Sequence, residues 1–334
     1  MTAALGAAVA GWGMALPART VSNFELAERV DTSDEWISDR TGIRERRVAG
    51  DGETTASLAI EAGAAAIKCA DLSPAQIGCC IVATCTPEQP LPATAAFVQD
   101  ALGTRGGAFD LDAACAGFVY SLVVGASMVA GGVVESALII GSETITRLVD
   151  FDDRSTCVLF GDGAGAVVLT TAETKSGLQP GLVAWDLGCD GSAAPLLGVL
   201  AGGSRRPIDA EALRVGAHRI SMEGQEVYRR AVRALVDSTS LTLAKAGVTA
   251  AEVALFVPHQ ANVRIIEAAA SRLGIPMDRV MVNIDRYGNT SAASVPIALA
   301  EAADAGRIES GDLVLMSGFG AGMAWATALV RWGR

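Results

Sequence analysis

The chain has few of the residues from which metal sites and aromatic binding faces are made. Among its 334 residues are two histidines and three tyrosines, and aromatics make up 5%. Its seven cysteines, Cys69, Cys79, Cys80, Cys85, Cys115, Cys157 and Cys189, contain no Cys-x-x-Cys pair, which argues against a structural zinc site, and we expect no metal. Long basic runs are missing and the net charge is −11, so nucleic acid and anionic membrane surfaces are poor partners. No basic start precedes the apolar part of residues 1–17, and the glycines and Pro17-Ala18-Arg19-Thr20 suit a strand and turn, so we read no signal peptide. Free thiols without an export signal point to a reducing cytoplasm.

Nucleotide-binding loops are missing as well. There is no Gly-x-x-x-x-Gly-Lys loop and no Gly-x-Ser-x-Gly elbow. Gly161-Asp162-Gly163-Ala164-Gly165-Ala166 meets the dinucleotide pattern, but the strand-like Val167-Val168-Leu169 follows where a helix N-terminus would have to hold pyrophosphate. No nicotinamide or flavin is therefore expected. Residues 116–134 carry no charge and are long enough to span a bilayer. Their Gly, Ala and Ser content, the strands flanking them and a counterpart later in the chain favour a helix buried in a soluble core.

What the chain does have is a repeat. Residues 71–84 run in step with residues 247–260, and each stretch is followed by a helical run closing on Leu-Gly, at Leu102-Gly103 and Leu273-Gly274. Next comes a strand ending in Asp112 or Asp285, then a helix rich in small residues. Strand-like runs at residues 79–84, 108–112, 137–141, 254–258, 280–285 and 313–317 alternate with helices that begin at polar caps such as Ser73-Pro74. The alternation predicts an α/β fold with parallel sheets. With 51% apolar residues and a centrally buried helix, the expected architecture is a five-layer α-β-α-β-α sandwich. Its two duplicated halves would be residues 1–171 and 172–334, joined through the Gly/Pro-rich region 172–206. The first half carries extra segments at residues 147–157 and 86–92, which suit a surface mouth or a subunit contact.

The repeat brings three reactive side chains towards one pseudo-twofold axis. Cys115 follows a strand and precedes a helix, where free N–H groups and the helix dipole would favour its thiolate. Ala113, Ala114, Ala116 and Gly117 leave the sulfur reachable. His259 closes a strand in Pro258-His259-Gln260-Ala261-Asn262, a place for an acid, a base or a hydrogen-bond donor. Asn289, in Tyr287-Gly288-Asn289-Thr290-Ser291, stands at nearly the place of Cys115 in the second copy. His218 lacks such support and reads as structural. Cys, His and Asn together fit a thiol hydrolase, in which His deprotonates Cys and Asn orients the ring. They also fit a carbon–carbon condensing enzyme, in which His and Asn donate to a thioester oxygen as malonyl loses CO2. A neutral amide suits that second task, because a carboxylate would repel the enolate.

The residues resemble the β-ketoacyl-acyl-carrier-protein synthases III of the thiolase-like fold over essentially the whole chain. The resemblance rests on Asp31-Thr32-Ser33-Asp34-Glu35-Trp36-Ile37, Arg40-Thr41-Gly42-Ile43, Ala114-Cys115-Ala116-Gly117-Phe118 and Phe160-Gly161-Asp162-Gly163-Ala164-Gly165. It rests also on Pro258-His259-Gln260-Ala261-Asn262 and on residues 288–296, Gly288-Asn289-Thr290-Ser291-Ala292-Ala293-Ser294-Val295-Pro296. It implies a homodimer, without a cofactor, in which acyl-coenzyme A acylates Cys115. Malonyl-acyl carrier protein then loses CO2 under His259 and Asn289 and attacks the acyl-enzyme. The backbone N–H groups of Cys115 and Ala321 would hold the thioester oxygen, alanine standing where the family usually has glycine.

By the same resemblance Thr32, Trp36, Arg40, Arg154, Gly224 and Asn262 would bind coenzyme A, with Trp36 and Arg154 sandwiching the adenine. An indole with a guanidinium makes a good purine clamp. Leu91, Leu159 and Phe319 would shape the acyl pocket, Leu91 from the partner subunit where the family often has Phe. The smaller residue implies room for branched or medium primers as well as acetyl. Arg229, Arg264 and Arg272 would meet the acidic carrier protein. The alternative within the same fold is a synthase or acyltransferase of a polyketide or other secondary-metabolite pathway.

Overall fold

The computed structural model describes residues 6–171 and 179–333. The chain opens with β1 (Ala7–Ala15), β2 (Arg19–Ser22), α1 (Asn23–Ala27), α2 (Asp34–Thr41), β3 (Glu45–Val48) and α3 (Thr55–Cys69). It continues through β4 (Cys79–Ala83), α4 (Thr94–Leu102), β5 (Gly107–Leu111), α5 (Gly117–Ala130), β6 (Ser136–Glu143) and β7 (Gly163–Thr171). After β8 (Gly181–Cys189) come β9 (Leu197–Val199), α6 (Ala210–Arg214), β10 (Ile220–Met222) and α7 (Gly224–Ala246). The chain closes with β11 (Leu255–Pro258), α8 (Val263–Leu273), α9 (Ile284–Tyr287), α10 (Ser294–Asp304), β12 (Leu313–Gly320) and β13 (Ala324–Arg331).

Two sheets carry the repeat. The first has the order β1-β7-β6-β4-β5 and the second β11-β12-β13-β8. The parallel pair β4/β6 corresponds to β11/β12, and the antiparallel pairs β6/β7 and β7/β1 correspond to β12/β13 and β13/β8. The sheets are thus mixed, not parallel as expected, because β7 and β13 return directly beside the strand before them instead of crossing over through a helix. Helices α5 and α10 lie between the sheets, α3 and α4 cover the first, and α7 with α8 covers the second, giving the five layers. Lying between the two sheets explains why α5 carries no charged residue on any face. No helix among the described residues is long and apolar enough to cross a membrane.

Local chemistry agrees between the halves. Gly103 and Gly274 end α4 and α8 in left-handed backbone, φ 71° and 70°, which glycine adopts without strain. Ser73/Gln76 and Thr249/Glu252 form matching capping boxes, although each starts only a 3-10 turn and not the longer helix expected after Ser73-Pro74. The expected strand at residues 280–285 does not form either: only Val280 bridges to Phe256 before α9 begins. Gln260 explains this, since its Nε2 donates to Met281 O and its Oε1 accepts Asn283 N–H, taking backbone groups a strand partner would use. The glycine-rich run at Gly163 enters strand β7 as expected, and a Cβ at Gly165 would stand 2.5 Å from Ile297 N in α10. The join expected at 172–206 begins in residues 172–178, and the N-terminal strand expected from residue 1 includes residues 1–5; both stretches lie outside the described residues.

Candidate active site

Cys115, His259 and Asn289 line one cavity of about 470 Å³, walled mostly by apolar side chains. Cys115 is the middle residue of a 3-10 turn, Ala114–Ala116, that runs from the end of β5 into α5. Ala114 holds φ at 47°, a bend that turns the sulfur out of the strand line. The turn packs against β12, where a Cβ on Gly320 would stand 2.5 Å from Cys115 N, so only glycine lets the two backbones approach. Ala321, next along, also lines the cavity.

Burial pushes the Cys115 thiol up to about 12, outweighing the Ser291 hydrogen bond and reinforced by Glu143 and Asp112. The expected thiolate is therefore corrected: the resting group is a thiol, because removing the sulfur from water outweighs the helix terminus. Its Sγ donates to Ser291 Oγ at 3.2 Å.

His259 follows β11 and is buried, with its ring edge-on to Phe319 at 5.3 Å between centroids. Desolvation lowers its pKa to about 3, so the ring is neutral and cannot serve as an acid at neutral pH. Ser294 Oγ lies 2.5 Å from Nδ1 and accepts the Gln260 N–H at 3.3 Å. Donation of the serine proton to Nδ1 places the ring proton on Nε2. Asn289 is oriented in a similar way: its Oδ1 accepts Ser291 N–H at 2.9 Å, which leaves the Nδ2 amide as its uncommitted donor.

The counterpart of Cys115 in the second half needs correction. The matching 3-10 turn is Ser291–Ala293, and Ser291 has φ 50° where Ala114 has 47°. Ala292 therefore occupies the place of Cys115, and Asn289 stands three residues earlier, on the loop leading into that turn. Ser291, Ser294 and the buried Glu143 were not picked out as working residues by sequence reasoning. A lone carboxylate ending the apolar run Ala137-Leu138-Ile139-Ile140-Gly141 was the available signal for Glu143.

Trp36, Arg40, Gly224, Asn262, Leu159 and Phe319 line the same cavity, whereas Thr32, Arg154 and Leu91 do not. Arg40 and Arg154 both pack on the Trp36 indole, 4.5 and 4.9 Å from its centroid. A base sandwiched between Trp36 and Arg154 would separate them by about twice the ~3.5 Å van der Waals contact, so Arg154 would have to lift. Arg154 is otherwise held by Asp31, whose carbonyl it reaches at 2.7 Å. Asn262 caps α8 through Arg264 N–H and donates to Arg40 O at 3.0 Å. Thr32 has a buried hydroxyl without a hydrogen-bond partner, as His218 has a buried Nδ1.

Leu91 is 82% exposed in the loop after β4, and so adds nothing to the cavity of its own chain. Arg229, Arg264 and Arg272 are exposed on α7 and α8. Arg229 pairs with Glu226, and Arg264 donates to Asp39 O at 2.7 Å. Among the described residues no group of three or more His, Cys, Asp or Glu could hold a metal ion.

Residues 109–191 match the family model for 3-oxoacyl-[acyl-carrier-protein] synthase III, and residues 243–332 match the model for its C-terminal part. The chain is 51% identical to beta-ketoacyl-[acyl-carrier-protein] synthase III of Roseiflexus castenholzii over 98% of both chains. The solved 3-oxoacyl-[acyl-carrier-protein] synthase III of Aquifex aeolicus superposes with a TM-score of 0.90 at 44% identity, over 98% of this chain and 100% of that one. The priming beta-ketosynthase of the R1128 polyketide pathway superposes with a TM-score of 0.89 at 35% identity, over 99% and 98%. Sequence, fold and a cavity holding Cys, His and Asn agree: the chain belongs to the β-ketoacyl-[acyl-carrier-protein] synthase III family of condensing acyltransferases.

Proposed function

We propose that this chain starts fatty acid synthesis by condensing an acyl-coenzyme A primer with malonyl-acyl carrier protein through an acyl-Cys115 intermediate. The observation that carries the reading is that the Cys115 thiol shares a single, mostly apolar cavity with two neutral donors, His259 and Asn289. Cys115 Sγ attacks the primer thioester and coenzyme A leaves, with the Cys115 and Ala321 N–H groups holding the thioester oxygen. Malonyl then loses CO2 while His259 Nε2–H and Asn289 Nδ2 hold its thioester oxygen, where the negative charge grows. A neutral imidazole and an amide donate there without bringing a charge that would need a counter-ion. The carbanion attacks the acyl-enzyme and releases β-ketoacyl-carrier product.

Trp36, Arg40, Gly224 and Asn262 along the cavity, Arg154 packed on Trp36, and Thr32 form the coenzyme A path in this reading. Leu159 and Phe319 wall the acyl pocket. Arg264 and Arg272, which pair with no carboxylate among the described residues, give the acidic carrier its landing charge together with Arg229. The working unit is a homodimer in the cytoplasm, formed where β5 is the edge of its sheet and Phe97, Phe109 and Leu91 are exposed. Each half, 1–171 and 172–334, then descends from one ancestral unit.

Likeness to the polyketide priming ketosynthase supports a second reading, in which the carrier serves a secondary-metabolite pathway. Mass spectrometry after mixing with acetyl- or isobutyryl-coenzyme A, then malonyl-carrier protein, tests both. An acyl adduct on Cys115 that clears to β-ketoacyl-carrier product is expected. Release of free acid without malonyl would mark a thiol hydrolase, and transfer of the acyl group to an alcohol or amine would mark an acyltransferase.

A further inference from the structure

A second set of polar groups lies behind the nucleophile, joined to the donor side only through Ser291, whose N–H donates to Asn289 Oδ1. Cys115 Sγ donates to Ser291 Oγ at 3.2 Å, and Ser291 Oγ donates to Glu143 Oε1 at 3.0 Å. Glu143 is fully buried at the end of β6, where its Oε2 accepts Thr86 Oγ1 at 2.6 Å and Thr84 Oγ1 at 3.2 Å. The Cys85 N–H reaches Oε1 at 3.2 Å. Among the described residues its hydrogen-bond partners, Thr84, Cys85, Thr86 and Ser291, are all uncharged donors. A carboxylate without a counter-ion at such depth is costly to retain, and the route leading to it starts at the nucleophile.

The other acid–base groups nearby are committed. His259 is neutral, with Nδ1 against Ser294. Asp112 spends Oδ1 on the Ala114 N–H. The titratable groups facing Glu143 are the Cys85 and Cys115 thiols, with Asp112 acting on both of them. A thiolate formed beside an ionised Glu143 would place two negative charges in one desolvated cluster. Moving the proton along the two hydrogen bonds keeps the cluster at one.

We propose that Ser291 and Glu143 form the proton relay of Cys115: as Sγ attacks the thioester, its proton passes to Ser291 Oγ while the Ser291 proton passes to Glu143. The inference rests on the acyl-Cys115 reading above. In acylation the Sγ–acyl bond forms, the acyl–sulfur bond of coenzyme A breaks, and the coenzyme A thiolate leaves to take a proton from water. Glu143 then holds the thiol's proton through the life of the acyl-enzyme. In condensation the malonyl carboxylate leaves as CO2, the carbanion forms the new carbon–carbon bond, and the Cys115–acyl bond breaks. The departing Sγ recovers its proton through Ser291, and Glu143 is again a carboxylate. Burial raises Glu143 above its ordinary carboxyl range, which suits it to hold that proton. Ser291 is a catalytic residue on this account, since it touches the reacting sulfur. Glu143 acts through it as a positioning residue.

The test is the rate of acyl-Cys115 formation from acetyl-coenzyme A, followed by rapid-quench mass spectrometry from pH 5 to 8. Wild type is expected to slow on the acid side as Glu143 becomes protonated before the attack. Ser291→Ala, which leaves Glu143 and its other donors in place, should acylate roughly 10²-fold more slowly and lose the acid-side fall. Glu143→Asp should keep that fall, and Glu143→Gln should lose it if the variant folds. Acylation by Ser291→Ala within tenfold of wild type, or an unchanged pH profile in it, overturns the relay. If wild type forms no acyl-Cys115 at all, the functional reading fails and takes the relay with it, an outcome distinct from failure of the relay alone.

Discussion

Ala114 and Ser291 occupy the same point of the two half-folds, each bent into left-handed backbone at φ 47° and 50°. The first bend aims the Cys115 sulfur and the second aims the hydroxyl that receives its hydrogen bond. Each costs about 1 kcal/mol for a residue with a Cβ, and the surrounding turns hold both in place. Ala114→Gly removes one such strain. The variant should be as stable as wild type or up to ~1 kcal/mol more stable in urea denaturation, and slower in acylation because the bend is no longer enforced. Lower stability together with full acylation speed would refute the strain argument.

Gly320 tests the close approach on the other side of the nucleophile. A Cβ there would meet Cys115 N at 2.5 Å and Ala114 Cβ at 2.9 Å, both too near to be absorbed without backbone movement. Gly320→Ala should cost about 1–3 kcal/mol of stability and on the order of 10²-fold in acylation rate. Thermal denaturation and the rapid-quench assay read the two losses separately.

The pH dependence of stability carries a signature of His259. Its folded pKa is about 3 and its unfolded value 6.5, so between them the unfolded chain binds a proton that the native chain does not. Stability is full above the unfolded value and falls as pH drops below it, with a slope approaching ~1.4 kcal/mol per pH unit. Between pH 7 and 5.5 wild type should lose roughly 1 kcal/mol that His259→Gln does not lose, as read from urea midpoints. Because the ring stays neutral, decarboxylation of malonyl-carrier should show no titration near pH 6.5 in the same range.

Leu91 tests the acyl pocket and the dimer together. It is exposed and lines no part of its own chain's cavity, so in the proposed dimer its effect on primer choice would be exerted in the partner subunit. Leu91→Phe should lower the ratio of isobutyryl to acetyl turnover several-fold while leaving acetyl turnover near wild type. An unchanged ratio would show that this side chain does not bound the pocket.

Much of the fold was legible because a duplicated chain states its pattern twice. The match of residues 71–84 to residues 247–260, the Leu-Gly helix ends and the uncharged helix α5 all pointed to layers related by a pseudo-twofold axis. The expected strand at residues 280–285 failed because strand propensity does not register Gln260, whose side chain takes the backbone partners from a distance. The sheets are mixed because the directions of β7 and β13 depend on connections that periodicity does not describe.

By itself the sequence determined which side chains are chemically able to act: one thiol within a stretch of alanines, a histidine at a strand end, and an amide before a small-residue turn. Their identities are local and survive in the linear text. The tertiary structure alone decided their states. Burial turned the expected Cys115 thiolate into a thiol and His259 into a neutral donor, since desolvation depends on atoms brought from elements far apart in the chain. It also set Ser291 of the second half between Cys115 and Glu143 of the first, a contact no spacing rule could anticipate because its three members lie on three separate elements.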